Sequence, residues 1–528
     1  MDLTDIIYSN DYINILIQNY VAQSERYQML FPESSALLTL NPQYSVLFLE
    51  RSLLPENLFG AVPFTGLPKL FTPLSTLSLE VSGIVQTQNL YGGGYTGKNV
   101  IFGFLDTGID YRHPAFLHAN GQSRILAVWD QTDRTGTPPA QFPYGSLYTK
   151  SDLDAALESS DPLSLVPVTD PDGHGTYVAG VAGGTPVFEE DDLLSAMHFL
   201  NETAAAEGKP LVLCLALGTN QGSHSGTLPV SLTLARYGNT PGVIPVCATG
   251  NEGNAAHHYY GSVSETYTPK NVEFLVSEGN RGFTLELWGQ APQLFSVGFR
   301  SPGGETIPRI PVSLNQEQRI TFVLERTVIY VNYEVVQATT GSQLILIRML
   351  DPTPGIWTLQ VYRAFPSPPD FHIWLPITGF STSDVTFLEP DPYTTLTTPS
   401  ATVPVLSPST YQAANNSFSP ESGRGFTRLG EIKPDFAAPG VSVTGPGPAG
   451  SYVSFSGSSA SAAITSGAAA LFLQWGIQRT PARYFTAQEV KNYLIRGADR
   501  TDTITYPSRE WGYGRLQLYQ SFTSLMTN

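Results

Sequence analysis

The chain has 528 residues, of which 41% are hydrophobic and 14% are charged, and this composition excludes an intrinsically disordered protein. The length allows one large domain with one or two additions. A formal net charge of −17 argues against a nucleic-acid partner, because phosphate binding requires a surface rich in Lys and Arg.

The first 75 residues differ in pattern from the rest of the chain. Apolar residues between Asp5 and Tyr20 have helical spacing, and the segment Tyr44 to Glu50 reads as a strand. A stretch marked by Pro and Gly follows from Pro55 to Pro73. Residues 1–75 are therefore predicted to form a small α+β unit, joined to the rest by an extended linker.

The amino terminus lacks a basic start followed by an apolar run, so no secretory signal peptide is predicted. No stretch reads as apolar for long enough to span a membrane. Cys214 and Cys247 lie in short apolar runs, and two cysteines cannot form a disulfide framework. We therefore expect two buried thiols and synthesis in a reducing cytoplasm.

From residue 83 the pattern changes to strands that alternate with helices, which predicts a parallel sheet covered by helices on both faces. This pattern covers residues 83–261 and resumes over residues 401–528. The predicted strands include NVIFGFLDTG, RILAVWD, LVLCLALG and GVIPVCATGN, and predicted helices begin at His174, Asp191, Ser459 and Ala487. Function collects at the carboxyl ends of parallel strands. Asp106, Gly218 and Asn251 lie at such ends, so we expect them at one edge of the sheet.

Residues 262–400 interrupt this pattern with short strands and closely spaced turns, which predicts an inserted antiparallel β-sandwich or jelly roll. The insert contains Trp288, Trp357 and Trp374. These side chains would suit a carbohydrate platform, but aromatic residues of a sandwich are far more often part of the core. We therefore expect them to be core residues.

Three remote segments bring together the groups that nucleophilic catalysis needs. They are FGFLDTGID with Asp106, DPDGHGTYVAG with His174 and FSGSSASAAITSG with Ser459. A serine hydroxyl needs a base such as imidazole to remove its proton, and a carboxylate to fix the tautomer of that base. The order Asp, His, Ser is one of the known chain orders of this triad.

The same segments leave some alternatives open. Asp110 and Asp172 are further carboxylates near the first two motifs, although neither follows a strand as Asp106 does. The residues alone do not separate Ser458 from Ser459 as the nucleophile. Asn251, in VIPVCATGNEGN, is the candidate donor to an oxyanion, together with the backbone N–H of Ser459.

These motifs, with KPDFAAPG, resemble those of subtilisin-like serine proteases (subtilases) from about residue 85 to 525. The resemblance implies the subtilisin-like α/β fold and an endopeptidase that acts on protein substrates. It assigns the nucleophile to Ser459, with Ser458 where Thr is usual and Ala463 where Pro is usual. It also implies walls of the specificity pocket, formed by Ala216, Leu217, Gly218, Ala248, Thr249 and Gly250. The sequence contains no recognisable metal cage, and we expect no cofactor.

A narrower resemblance is to the germination proteases of clostridial spores, on stretches such as YGGGYTGKNV, HPAFLHANGQSRILAVWDQT and ESGRGFTRLGEIKPDFAAPG. It implies an N-terminal prodomain, an inserted jelly roll and a spore-associated enzyme that activates the zymogen of a cortex hydrolase. Self-processing by Ser459 is expected to cut the linker between about Gly66 and Ser82. Nucleic-acid and membrane partners are not expected.

One departure from the family concerns the segment after His174. Where the family has a buried strand beside the strand of the catalytic Asp, GVAGGTPVFEEDDLLSAMHFL passes almost directly to the next helix. Residues omitted from the sequence would account for this departure. A real omission predicts an incomplete substrate groove, which favours a catalytically silent sensor or scaffold. A third interpretation is a glycan- or peptide-binding protein that acts through Trp288 or Trp374.

Overall fold

The computed structural model describes residues 3–9, 11–19, 36–53, 62, 64–73, 84, 87, 95–180, 188–266, 268–313, 317–365 and 369–526. In these residues the α-helices are α1 (Leu3–Ile7), α2 (Lys150–Glu158), α3 (His174–Gly180), α4 (Glu190–Ala206), α5 (Pro229–Gly238), α6 (Ser458–Ile477), α7 (Ala487–Arg496) and α8 (Leu518–Met526).

The strands before the insert are β1 (Tyr12–Gln18), β2 (Ala36–Thr39), β3 (Tyr44–Glu50), β4 (Leu70–Pro73), β5 (Ile101–Phe104), β6 (Ala127–Asp130), β7 (Ser146–Thr149), β8 (Phe188–Glu189), β9 (Leu211–Leu215), β10 (Leu217–Gly218) and β11 (Val243–Cys247). The insert contributes β12 (His258–Ser262), β13 (Lys270–Val276), β14 (Gly282–Gly289), β15 (Phe295–Arg300), β16 (Thr306–Ile310), β17 (Gln318–Thr321), β18 (Val328–Glu334), β19 (Gln343–Leu350), β20 (Gly355–Arg363), β21 (Asp370–Trp374) and β22 (Val385–Phe387). The last strands are β23 (Pro408–Gln412), β24 (Ser417–Phe418), β25 (Phe436–Pro439), β26 (Val443–Pro446) and β27 (Tyr452–Phe455).

The N-terminal unit is a three-stranded antiparallel sheet in the order β1-β3-β2. The predicted helix from Asp5 to Tyr20 is wrong, because among the described residues of this stretch α1 ends at Ile7 and Tyr12–Gln18 form β1. Ile15 and Ile17 pack on one face of β1 and Leu16 belongs to the core on the other, so burial on both faces favours a strand of β-branched residues over a helix.

The parallel sheet of the central domain contains β5, β9 and β11 in the order β11-β9-β5. Beyond β11, a parallel bridge joins Val246 to Leu406, which leads into β23, and β23 pairs in parallel with β25. Among the described residues β5 pairs with β9 alone. A family-type strand after α3 is thus absent from the described part of the chain, and residues 181–187 lie outside it.

The helix α6 lies in the buried core beside this sheet. Its sequence, SSASAAITSGAAALFLQWGI, is rich in small residues, which allow close packing against β9, β23 and β25. By length and composition α6 is apolar enough to cross a membrane, contrary to the expectation from the sequence, but 78% of its most apolar window is buried inside the protein, as in a core helix.

The two cysteines lie on neighbouring strands of the parallel sheet, where Cys214 on β9 pairs in register with Val246, next to Cys247. Both thiols are free and buried, as the sequence predicts. Burial raises the pKa of Cys214 to about 12 and also raises that of Cys247, so both remain neutral at physiological pH.

The insert consists of two antiparallel sheets, in the orders β12-β21-β14-β19-β18-β17 and β16-β15-β20-β13-β22. Its first strand starts at His258, four residues before the boundary expected from the sequence. Trp357 lies in the core of the sandwich, and Trp288 and Trp374 lie in the core cluster shared with the α/β domain. All three indoles are buried, so a surface platform of tryptophans is ruled out.

The linker strand β4 crosses from the N-terminal unit into the α/β domain. It forms the middle of a three-stranded antiparallel sheet, with β10 on one side and β8 on the other. The backbone N–H of Leu70 also donates to the side chain of Gln221 at 3.1 Å. The groove between β8 and β10 therefore has two walls, and the chain's own segment lies between them.

Candidate active site

Asp106 and His174 are in direct contact, since Nδ1 of His174 hydrogen-bonds to Oδ1 of Asp106. Asp106 follows β5 and His174 begins α3, and both side chains are buried. The backbone N–H of Thr107 donates to the same carboxylate oxygen at 2.9 Å. This carboxylate therefore fixes which nitrogen of the imidazole carries a proton, leaving Nε2 as the basic nitrogen.

The alternative carboxylates have other surroundings. Asp110 binds the guanidinium of Arg112 at 2.8 Å and accepts the backbone N–H of Ala449 at 3.1 Å. Asp172 is exposed on the turn before α3. The acid that contacts His174 is thus Asp106.

A residue that the sequence reasoning missed, Asp170, joins the two segments. One carboxylate oxygen accepts the hydroxyl of Thr107 at 2.5 Å, and the other accepts the backbone N–H of Thr176 at 2.6 Å. The residue after Asp106 is therefore tied to the first turn of α3. The sequence could have indicated Asp170, because it is the first residue of the motif DPDGHGTYVAG, four residues before His174.

Two glycines let the backbones of these segments meet. A Cβ atom on Gly175 would lie 1.9 Å from the carbonyl oxygen of Gly108, and a Cβ atom on Gly108 would lie 2.2 Å from that of Thr169. Gly108 also has a φ of 143°, which favours glycine. Both glycines are required for Asp106 and His174 to come into contact.

Ser458 and Ser459 are both buried at the start of α6, but their hydroxyls differ. The hydroxyl of Ser458 accepts the backbone N–H of Gly250 at 3.0 Å, whereas that of Ser459 donates to the carbonyl of Ala216 at 3.1 Å. Both hydroxyls therefore bond just beyond the carboxyl ends of parallel strands, that of Ser458 after β11 and that of Ser459 after β9.

The register of the sheet relates Ser459 to Asp106. Phe104 on β5 is the last residue of the pairing with β9, opposite Cys214, and Asp106 and Ala216 each come two residues later in their own segments. Adjacent strands are about 4.8 Å apart. The carbonyl that accepts from Ser459 and the carboxylate that contacts His174 thus follow adjacent strands of the parallel sheet at the same end.

Asn251 follows β11 and has its side chain oriented by the start of α6. Its Oδ1 accepts the backbone N–H of Ser458 at 3.0 Å, which leaves the two N–H groups of its amide as donors. The neighbouring Glu252 is saturated by other partners. It accepts from Asn220 at 3.1 Å and Thr378 at 2.7 Å, and its Oε2 lies 2.5 Å from Nδ1 of His257.

The predicted pocket walls come together around a residue that the sequence did not indicate. Thr397 is fully buried, and its side chain lies between the backbones of Gly218 and Gly250. A Cβ atom on either glycine would lie 2.4 Å from this side chain. The Thr397 hydroxyl has no hydrogen-bond partner among the described residues. The side chain of Thr397 thus fills the space between the wall that contains Gly218 and the wall that contains Gly250.

No group of three or more His, Cys, Asp or Glu side chains that would hold a metal ion occurs within the described ranges. The arrangement at the end of the sheet consists instead of a carboxylate, an imidazole, a hydroxyl and a primary amide, which suits acyl transfer.

Comparisons with known proteins identify the family of the chain. A family model described as the subtilase family matches residues 97–514. The structure of the Clostridium perfringens CspB protease matches with a TM-score of 0.76 and 31% identity, covering 85% of this chain and 99% of that chain. The subtilisin-like protease PopC of Myxococcus xanthus is 28% identical over 212 residues, which are 34% of this chain and 39% of PopC. The subtilisin-like protease SBT2.2 of Arabidopsis thaliana is 30% identical over 121 residues, 21% of this chain and 14% of that protein.

The matches to PopC and SBT2.2 thus span less than half of those two proteins, whereas the match to CspB spans nearly all of its solved chain. The family model covers most of the present chain, including every segment described in this site. The chain belongs to the subtilase family of subtilisin-like serine proteases and is related to the Csp-type proteases.

Proposed function

We propose that this protein is an active serine endopeptidase in which Ser459 is the nucleophile, His174 the general base and Asp106 the residue that orients the base. The observation that carries the proposal is the contact between Asp106 and His174, at the same end of the sheet as Ser459. The family match supports the reaction class.

In the proposed reaction, the Ser459 hydroxyl turns from the Ala216 carbonyl toward the imidazole, which takes its proton as the oxygen attacks the substrate carbonyl. Asp106 stabilises the imidazolium that forms. The amide of Asn251 and the backbone N–H of Ser459 donate to the oxyanion. Collapse of the tetrahedral species breaks the C–N bond, and the imidazolium protonates the departing amine.

The specificity pocket in this proposal lies between Ala216–Gly218 and Ala248–Gly250, with Thr397 at its base. Because the Thr397 side chain fills the space between the two glycines, the pocket is shallow. A branched aliphatic residue fits such a pocket better than a large aromatic one.

Residues 1–75 are proposed to act as a prodomain that the enzyme cuts from itself, and residues 258–387 as an inserted jelly roll. Two contacts support a prodomain. The strand β4 occupies the groove between β8 and β10, and Asn14 donates to Glu189 at 2.9 Å and to Asp191 at 2.7 Å at the start of α4. The N-terminal unit thus binds the groove wall from outside while its linker fills the groove.

A narrower proposal is that the enzyme is synthesised in the cytoplasm, is spore-associated, and acts during spore germination on the zymogen of a cortex hydrolase. Its support is the resemblance to CspB. The test is incubation of such a zymogen with the wild-type enzyme and with Ser459→Ala. Processing of the zymogen by both proteins, or by neither, would contradict it.

A catalytically silent scaffold is the second candidate, and one observation favours it. Within the described chain β5 lacks a partner on the edge opposite β9, and the side chain of Phe102 on this strand is 38% exposed. An unpaired strand edge leaves backbone N–H and C=O groups without partners next to Asp106. The segment that contains Asp106 would then be held in place less firmly. The two walls of the groove, however, are both present. A binding function through the insert is not favoured, because Trp288 and Trp374 are buried.

The deciding experiment is reaction with a serine-directed fluorophosphonate probe, followed by mass mapping of the labelled peptide. We expect labelling of Ser459 in the wild type and in Ser458→Ala, and none in Ser459→Ala or His174→Ala. An unlabelled wild type that folds normally supports the silent scaffold and overturns the enzyme.

A further inference from the structure

A buried histidine outside the proposed catalytic residues lies between two sides of the proposed specificity pocket. His224 is 1% exposed, and its ring is placed between two backbone carbonyls. Nε2 lies 2.9 Å from the carbonyl oxygen of Asn220, two residues after Gly218 in the pocket wall. Nδ1 lies 2.7 Å from the carbonyl oxygen of Leu396, the residue before Thr397 at the pocket base. The ring of His224 therefore spaces the wall from the base.

A backbone bridge joins the same two segments at a neighbouring point. The N–H of Thr219 donates to the carbonyl of Thr398 at 3.0 Å, and the N–H of Thr398 donates to the carbonyl of Thr219 at 2.9 Å. One fixed point sets the distance between two segments but leaves the angle between them free. The ring of His224 supplies the second fixed point, so that both the distance and the angle are set.

The volume of the ring matters as well as its hydrogen bond. Burial lowers the pKa of His224 to about 4, so the ring is neutral at pH 7 and has one N–H. It donates to either Asn220 or Leu396, but not to both at once. The spacing on the side that receives no hydrogen bond is therefore kept by the ring itself, and a smaller side chain with a donor would not keep it.

The backbone of His224 is held in a conformation that few residues adopt. Its φ is 49°, in the left-handed region. Such residues persist only where their surroundings fix them, and they cluster at functional sites. Here Arg428 fixes the segment, because its backbone N–H donates to the carbonyl of His224 at 3.1 Å and its guanidinium donates to the carbonyl of Ser223 at 2.8 Å. The N–H of Gly222 donates to Glu286 of the insert at 2.9 Å.

The insert also supports the ring of His224 directly. This ring stacks on the indole of Trp374, with centroids 4.0 Å apart and planes within 7° of parallel. Trp374 is buried on β21, and its indole also stacks with His258 at 4.8 Å. The guanidinium of Arg428 donates to Ser342 of the insert at 3.0 Å. The segment that contains His224 is thus held on the α/β side and on the insert side.

From these contacts we infer that His224 is a positioning residue for the substrate, which sets the wall of the specificity pocket against its base, and that Trp374 of the insert holds its ring in place. The inference rests on the proposed function and adds to it a role for the insert in the choice of substrate. It involves no contact of His224 with the reacting atoms. Loss of the ring should therefore change substrate binding and leave the nucleophile intact.

The test uses the full chain and steady-state kinetics on two peptides, which carry Leu or Phe before the cleaved bond. His224→Asn keeps a residue that tolerates a positive φ but removes the ring. KM for the Leu peptide should rise at least about fivefold while kcat changes less than about twofold, because the lost binding is equal in the ground state and the transition state. The ratio of kcat/KM for Leu to that for Phe should fall at least about threefold.

Two further variants separate this role from a general effect on the fold. Trp374→Phe keeps an aromatic ring of smaller area and should lower the same ratio by about twofold. His118→Asn replaces an exposed histidine and should leave both KM and the ratio unchanged. The rate at which a fluorophosphonate labels Ser459 should stay within about twofold of the wild type in every variant, since no group of the proposed mechanism is altered. Thermal unfolding shows which variants are folded, and Trp374→Phe decides if His224→Asn is not.

An unchanged Leu-to-Phe ratio in the folded variants overturns the role of His224 and leaves the proposed protease standing. A labelling rate that falls as far as kcat/KM also overturns it, because the substitution would then act on the nucleophile. A wild type that neither cleaves the peptides nor reacts with the fluorophosphonate overturns the inference and the proposed function together.

Discussion

The side-chain oxygen of Asn251 accepts the backbone N–H of Ser458 at 3.0 Å, one residue before the proposed nucleophile Ser459. This bond fixes which end of the amide faces the reacting carbonyl. The oxygen is held by the start of α6, so the amide nitrogen remains as a donor. The orientation of Asn251 is therefore set by the same helix that carries Ser459.

Replacing Asn251 should reduce turnover far more than binding. Asn251→Ala removes one oxyanion donor, and the loss of such a donor typically lowers kcat by about 100- to 1,000-fold. KM should change little, because the charge that Asn251 stabilises develops only in the transition state. Steady-state kinetics with a peptide substrate would measure both constants.

Asn251→Asp separates the two roles of this side chain, because a carboxylate still accepts from Ser458 but cannot donate. We expect it to lose as much kcat as Asn251→Ala. Asn254→Ala, an exposed asparagine on the same loop, is the control and should keep full activity. Near-normal kcat in Asn251→Asp would contradict the role as donor.

Thr397 is expected to limit the size of the residue that precedes the cleaved bond. Thr397→Gly removes the side chain that lies between Gly218 and Gly250 and should raise kcat/KM for peptides with Phe at that position about tenfold or more, relative to Leu. Thr397→Val is the matched control, since it keeps the shape and removes only the buried, unpaired hydroxyl. It should leave the preference unchanged without lowering the free energy of unfolding. An unchanged preference in Thr397→Gly would show that the pocket is elsewhere.

Lys433, in the KPDFAAPG segment, is expected to stabilise the fold. Its buried ammonium donates to Asp435 at 2.8 Å, to the carbonyl of Val405 at 2.5 Å and to Ser407 at 3.0 Å. Burial lowers the pKa of Lys433 to about 8. Lys433→Met should lower the free energy of unfolding by about 3–5 kcal/mol, because it leaves Asp435 with Lys491 as its remaining cationic partner.

Denaturant unfolding at pH 7 would measure the effect of Lys433→Met. Lys209→Met is the control, because it removes the ammonium of a partly exposed lysine paired with Glu207 at 2.8 Å. That change should cost less than about 1 kcal/mol. Equal effects of the two substitutions would contradict a structural role for the buried pair.

Glu286 should make stability depend on pH. Burial raises the pKa of Glu286 to about 7, although its Oε2 accepts from Gly222 at 2.9 Å and Trp288 at 3.0 Å. Because the folded state binds the proton more tightly than the unfolded chain, this stabilisation is complete below about pH 4.5. It is lost as the pH rises through about 7.

Glu286→Gln, which keeps an acceptor for both donors, should therefore remove this dependence. Relative to the wild type, its free energy of unfolding should increase by roughly 2–3 kcal/mol between pH 4.5 and pH 8. Glu278→Gln, on an exposed turn of the same insert, should follow the wild type. Parallel curves for the wild type and Glu286→Gln would exclude an ionisation of Glu286 in this range.

Much of the α/β domain was predictable from local runs of residues. Buried parallel strands are continuous apolar runs, so those ending near Asp106, Gly218 and Asn251 are visible in the sequence, and their carboxyl ends must meet at one edge. The segment from Asp5 to Tyr20 is an exception, because its apolar spacing fits a helix. Only the pairing of Tyr12–Gln18 with β3, more than 25 residues away, makes this part of it a strand.

The sequence by itself determined which chemical groups the site contains and in which order they occur along the chain. Only the tertiary structure gave the hydroxyls of Ser458 and Ser459 different hydrogen-bond partners. It also linked Asp170 to the segments of both Asp106 and His174, and placed the side chain of Thr397 between two glycines. Each of these outcomes depends on contacts between segments far apart in sequence. A local sequence pattern predicts the secondary structure and the burial of its own residues. It does not predict which atoms of distant segments lie within hydrogen-bond distance of them.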